Sequence, residues 1–200
     1  IQGRIGAYWH GNEPCHQMAY LFDYAGEPWR TQRWVRHILR TEYNDSPGGL
    51  SGNDDAGQMS AWYIFSCLGF YPVSPVSGEY AIGSPVFPEV EIPLENGRTF
   101  RIIAHNASDE NIYIQSARMN GVPMKSPFFT HDDLLSGATL EFEMGPVPSN
   151  WGCTQTSVFN PMDFGAVGNG IGLDENFPAE QYGGLKKFSY LSNHKTGNNP

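Results

Sequence analysis

Between Cys15 and Leu68 apolar side chains recur every three or four positions, whereas between Glu89 and Met144 they alternate in short runs. The chain therefore changes period partway along, from helical to extended. In "GNEPCHQMAYLFDYAG" Asn12 or Glu13 stands where an N-cap is wanted, Pro14 suits the first helical position, and Met18, Leu21 and Phe22 follow at helical spacing. Gly26 ends that helix, and "EPWRTQRWVRHILRTEY" starts a second, with Pro28 at its first position. A third is expected over about residues 56–68, carrying Met59, Trp62, Tyr63 and Phe65 and closed by Gly69 and Pro72. The runs "EVEIPL", "TFRIIAHN", "IYIQSARMN" and "TLEFEM" then read as strands of a small antiparallel unit, punctuated by Asn96-Gly97 and Asn120-Gly121 turns. The fold class is α+β, with helices over 1–70, a β region over 71–150 and an irregular, Gly- and Asn-rich tail over 151–200.

Composition narrows the partners. Hydrophobic residues make up 40% and charged residues 16% of the 200, so the chain is built to pack. A net charge of −9 with no basic stripe excludes nucleic acid as a natural partner. No stretch reaches the roughly 18 apolar residues of a membrane span. Cys15, Cys67 and Cys153 stand singly, which offers neither a disulfide framework nor a zinc site. "IQGRIGAYWHGNEP" has no initiator Met and no signal-peptide pattern, as expected of the interior of a longer protein, so it says nothing of compartment.

The chemistry concentrates where acids meet helix starts. "GNE" at 11–13 and "GNDD" at 52–55 repeat one arrangement, Gly-Asn-acid before a helix, with Tyr8, Trp9, Trp62 and Tyr63 nearby. Carboxylates at a helix N-terminus are stabilised by unpaired N–H groups and the dipole, so capping alone explains Glu13, Asp54 and Asp55. Acids framed by aromatic faces also suit a carbohydrate site, which favours the second reading. Elsewhere, Trp29 and Trp34 fit core packing. His131-Asp132-Asp133 fits a solvated turn, and Asn44-Asp45-Ser46 and Asn106-Ala107-Ser108 match the glycosylation sequon.

"GNEPCHQMAYLFDYAGEPWRTQRWVRHIL", "GGLSGNDDAGQMSAWYIFSCLGFYPVSPVSGEYAIGSP" and "NGVPMKSPFFTHDDLLSGATLEFEMG" occur in the order of one family. Over about residues 1–145 the chain resembles the C-terminal part of glycoside hydrolase family 92, the calcium-dependent, exo-acting α-mannosidases. The resemblance implies that residues 1–70 are the last helices of an (α/α)6 barrel. It implies inverting hydrolysis of terminal α-mannosyl residues, such as α-1,2 linkages of N-glycans or mannans. Inversion needs a carboxylic acid and a carboxylate base roughly 6.5–9.5 Å apart. The family's base position falls on Asp55. Asn53 stands where some members place a second aspartate, and it can orient water but not share the base role. Glu13 and Asn12 fall near the calcium, which engages the mannose O2 and O3 hydroxyls. Glu13, His16 and Asp54 fall among the sugar contacts, His16 one turn on from Glu13 and facing the same way.

The family's general acid lies upstream in an "EGNAWQ"-like block with no match here. The implied partners are thus mannose-containing glycans and the missing N-terminal part of the same protein, and the implied location is extracellular or periplasmic. Two other classes remain open. In one, a carbohydrate-binding or structural module, the acids only cap helices. In the other, a metal-dependent hydrolase, Asp54 and Asp55 pair on a metal, although neighbours on a helix point about 100° apart.

Overall fold

The computed structural model describes residues 4–153. β1 (Arg4–Ile5) and β2 (Tyr8–Trp9) form a small antiparallel pair ahead of the "GNEP" segment. That segment is not the continuous helix its spacing predicts. It runs as two 3₁₀ turns, Glu13–Cys15 and Met18–Tyr20, and one α-helical turn, α1 (Leu21–Tyr24). Cys15, His16, Ala19, Tyr20 and all four residues of α1 are buried while Glu13 and Pro14 are exposed, so burial does not follow one helical stripe. Packing, more than helical hydrogen bonding, sets the path of such a segment.

α2 (Pro28–Thr41) matches its expectation, with Pro28 at the first position and Gly26 before it in the left-handed region at φ 77°. α3 (Gln58–Leu68) starts two residues later than expected, because Asp55, Ala56 and Gly57 all take positive φ, at 50°, 58° and 94°. It ends at Gly69, where a Cβ would meet Pro85 at 2.9 Å.

β3 (Phe70–Tyr71) and β4 (Glu79–Ile82) begin the sheet region, followed by β5 (Glu89–Pro93), β6 (Thr99–His105), β7 (Tyr113–Met119), β8 (Val122–Met124) and β9 (Phe128–Thr130). α4 (His131–Leu135) then leads to β10 (Thr139–Gly145). β3, β4 and β9 make one sheet, and the other has the order β5-β6-β10-β7-β8. β10 inserts between β6 and β7 and runs parallel to β6, so the expected wholly antiparallel unit is in fact mixed. Alternation identifies a strand but not its neighbour, and α4 turns the chain back across the sheet. The His131-Asp132-Asp133 stretch is α4 itself, opened by a capping box in which Thr130 and Asp133 exchange bonds. The Asn120-Gly121 turn is as expected: both residues are left-handed and join β7 to β8.

Two apolar clusters result. One gathers Tyr8, Tyr20, Phe22, Trp34, Val35, Ile38 and Trp62; the other gathers Phe70, Ile82, Phe100, Ile102, Ile114, Leu140 and Phe142 from the sheets. Phe65 of α3 packs against both. α2 is tied to the β region by the Ile114 N–H donating to Gln32 Oε1 (3.0 Å), by Arg36 donating to the Ser108 carbonyl, and by an Arg40–Asp109 ion pair at 3.0 Å. Cys15, Cys67 and Cys153 are free thiols, as their spacing suggests. Among the described residues no helix is long and apolar enough to cross a membrane. Of the expected irregular tail, all beyond residue 153 lies outside the described residues.

Candidate functional site

The two Gly-Asn-acid loops, far apart in sequence, meet backbone to backbone. A Cβ on Gly52 would lie 2.7 Å from Gly11 Cα, and one on Gly11 would lie 2.8 Å from the Ser51 carbonyl oxygen. Only glycine permits this approach, which puts Asn12-Glu13 and Asn53-Asp54-Asp55 along one edge of the molecule.

Along that edge the residues divide. Glu13, Asn53 and Asp55 are exposed, while Asn12 and Asp54 are half-buried. Gly57 holds the N-cap position of α3, and Asp54 serves the helix start from outside it: its Oδ1 accepts from Ser60 N (2.9 Å) and its Oδ2 from Ser60 Oγ (3.0 Å), from six residues upstream. Asp55 does not cap. It sits at φ 50° with its carboxylate toward solvent, and a non-glycine residue in that region costs on the order of 1 kcal/mol, the kind of strain retained at working sites. Glu13 caps nothing either; Asn12 holds the cap position of its 3₁₀ turn without a side-chain cap bond, its Nδ2 instead 3.7 Å from Cys15 Sγ.

Behind the acids lies a buried aromatic and imidazole wall. His16 does not share Glu13's face: it is 1% exposed, against an exposed Glu13. Its Nε2 faces the His10 carbonyl at 2.9 Å, an acceptor only, so Nε2 carries the proton. Its Nδ1 then accepts from Gln58 Nε2 at 3.2 Å. Burial lowers the His16 pKa, opposed by its bond to the His10 carbonyl and by the charges of Glu13 and Asp55. His10 is fully buried, and desolvation together with His16 pushes its pKa down to about 3. Tyr43 Oη donates to the Met59 carbonyl (3.0 Å), so it accepts from His10 Nε2 (2.6 Å), leaving His10 Nδ1 to accept from Tyr8 Oη (2.7 Å). Burial thus favours the neutral form of both imidazoles, and neither has a ring nitrogen left unbonded.

Trp62 closes the wall. Its Nε1 donates to the His16 carbonyl at 2.9 Å, and its ring meets His10 edge-on at 4.4 Å. Tyr8 and Trp62 are fully buried, so of the four aromatics expected to frame a sugar only Trp9 and Tyr63 reach solvent, at 37% and 40%. Trp34 is core, as expected, and Trp29 lies half-buried under the Arg30 guanidinium at 5.0 Å. Sequence reading missed His10, Tyr43, Gln58 and Tyr71. The signal for His10 was its place two residues after Tyr8 in an extended stretch, where both side chains fall on one side.

Calcium takes about 6–8 oxygen ligands. Glu13 and Asn12 are hard oxygen donors of the right kind, but among the described residues no group of three or more acidic, His or Cys side chains gathers as a metal site. They fit a shared site completed by water, sugar hydroxyls or other protein oxygens. Both Asp54 oxygens accept from Ser60, which weighs against a paired-aspartate metal site.

Residues 1–146 match the family model described as the Glycosyl hydrolase family 92 catalytic domain. An α-mannosidase of that family from Bacteroides thetaiotaomicron is 47% identical, superposes with a TM-score of 0.74, and aligns over 78% of this chain and 21% of its own. An inverting mannosidase of the same family and organism is 42% identical, with a TM-score of 0.69 over 73% of this chain and 20% of its own. An uncharacterized secreted glycosidase of Arthroderma benhamiae is 34% identical over 159 residues, 78% of this chain and 20% of the relative. The chain thus spans about a fifth of the length of the relatives it matches.

Proposed function

Because the chain belongs to glycosyl hydrolase family 92, we propose that it supplies one wall of the active site of an inverting exo-α-mannosidase, with Asp55 as the general base. The observation that carries this reading is the Gly11–Gly52 contact, which brings an exposed Glu13 and an exposed, positive-φ Asp55 to one edge in front of a rigid wall. Asp55 takes a proton from the attacking water, and Asn53 orients that water. Asp54 fixes the loop through Ser60 and lies within reach of the sugar. Glu13 and Asn12 present oxygens to calcium and to mannose hydroxyls; the bound ion supplies positive charge that holds vicinal hydroxyls. His16 stands behind them as a brace.

The general acid comes from the rest of the protein, about 6.5–9.5 Å across the bond from Asp55. Residues 1–70 complete an (α/α)6 barrel with that missing part, so the 200-residue chain alone is inactive. Terminal mannose on glycans, including α-1,2-linked mannose, is the substrate class, and the secreted relative supports an exported enzyme. The binding-module alternative is less well supported: the outward face of the large sheet carries Glu89, Glu91, Arg101, Arg118, His105 and Glu143, a charged surface and not an aromatic platform.

Proton NMR of the first-formed sugar, released by the full-length protein from an aryl α-mannoside, tests inversion. β-Mannose is expected; α-mannose appearing first would overturn it. For the calcium role, Glu13→Gln is expected to weaken calcium binding at least severalfold while shifting stability by less than about 0.5 kcal/mol, as for an exposed side chain. Isotherms and melts on the same protein check it.

A further inference from the structure

Gln58 is the first residue of α3 and follows Asp55 by three positions. Its Nε2 donates to His16 Nδ1 (3.2 Å) and to Tyr71 Oη (3.1 Å). Using both hydrogens of one amide fixes its rotation and ties three elements: α3, the 3₁₀ turn after Glu13, and β3. His16 is itself held elsewhere. Its backbone N–H donates to the Glu13 carbonyl (3.0 Å), its carbonyl accepts from Trp62 Nε1 (2.9 Å), and its Nε2 donates to the His10 carbonyl (2.9 Å). Any movement of Gln58 relative to His16 is therefore a movement of the Asp55 loop relative to the Glu13 loop.

The glycine contact cannot supply this register. Two abutting backbones set a closest approach, but van der Waals contact has no direction and permits sliding. Direct side-chain bonds across the two loops come from Trp62, a full turn deeper in α3, and from Gln58 at its mouth, while Tyr43 bridges His10 Nε2 to the Met59 carbonyl without touching either acid loop's helix-start side chain. We infer that Gln58 is a positioning residue that holds the Asp55 loop in register with the Glu13 loop through His16. The inference rests on the reading of Glu13 and Asp55 as one site. A base displaced by about 1 Å loses on the order of a hundredfold in rate, so register matters more to turnover than to stability.

The test is made in the full-length protein with an aryl α-mannoside, measuring kcat, KM and Tm for Gln58→Met, Gln58→Glu and Asp55→Asn. Gln58→Met keeps the length of the side chain and removes both donors; Gln58→Glu keeps its shape and decides the matter if the first variant does not fold. The expected result is a kcat lowered about tenfold to a hundredfold in the Gln58 variants, with KM changed far less and Tm close to the parent's. Parental kcat in the Gln58 variants, or a loss that only follows Tm, overturns the inference. An inactive Asp55→Asn beside a fully active Gln58→Met overturns the positioning role alone, whereas an active Asp55→Asn removes the site reading and the inference together.

Discussion

The helical region and the β region bury comparable side chains to different ends. The core of the large sheet is apolar: Phe100, Ile102, Ala104, Ile114, Leu140 and Phe142 are each 1% exposed or less. The one fully buried polar side chain in the β region, Ser84, is satisfied by donating to the Ile112 carbonyl at 2.7 Å. The helical region instead buries His10, His16, Asp23, Thr31, Gln32 and Arg36 among its aromatics. Apolar packing stabilises most simply, and buried polar groups cost free energy unless paired. The region with the costlier core carries the acid loops, and the region with the simpler core is its support.

Breaking the simpler core comes first in size. Phe142→Ala removes a fully packed ring from the centre of the sheet and is expected to destabilise by about 3–5 kcal/mol. kcat of the molecules that remain folded should be unchanged. Denaturant melts and active-site titration separate the two quantities; a kcat loss at constant fold would mean that the sheet is more than support.

Gly52→Ala is the converse, smaller in stability and larger in rate. The added Cβ would sit 2.7 Å from Gly11 Cα, and backbone on both sides must give. A stability loss of about 1–3 kcal/mol is expected from the overpacking, with a drop in kcat at temperatures where the protein is fully folded. Unchanged kcat would separate the two loops functionally.

The smallest effect concerns Asp23. It is fully buried, and burial pushes its carboxyl well above the ordinary range, a hydrogen bond from Thr31 partly opposing. The folded chain therefore holds this proton where the unfolded chain has lost it. The favourable contribution is fully present below an unfolded pKa of about 3.9 and is lost as pH rises toward the folded value. Asp23→Asn, neutral at every pH, should melt higher than the parent near pH 7, with the gap closing toward pH 4. A gap that does not depend on pH would contradict a protonated Asp23.

How much the sequence disclosed follows from which forces were local. α2 was legible because Pro28, Gly26 and the Val35, Ile38, Leu39 spacing are properties of one segment. The Asn120-Gly121 turn was legible for the same reason. The parallel β6–β10 pairing was not, since it depends on where the chain returns after α4. Helical spacing overreached at residues 13–24, where burial of His16, Ala19, Tyr20 and the whole of α1 replaced an amphipathic stripe. At the candidate site, the Gly-Asn-acid repeat marked two loops that meet in the fold, but His16 turned inward, because a 3₁₀ turn packed on Trp62 does not present residues as a surface helix does. Gln58 carried no sign of its role, since a glutamine at a helix start has no pattern until its partners across the fold are known.

The central claim is that Asp55, not Asp54, is the working carboxylate of the paired loops. Its most direct measurement is kcat of Asp55→Asn in the full-length protein, taken well below Tm. The account predicts a fall of about 10²–10⁴ with Tm close to the parent's, as removal of a general base requires. Turnover at the parental rate in a folded Asp55→Asn protein would contradict it.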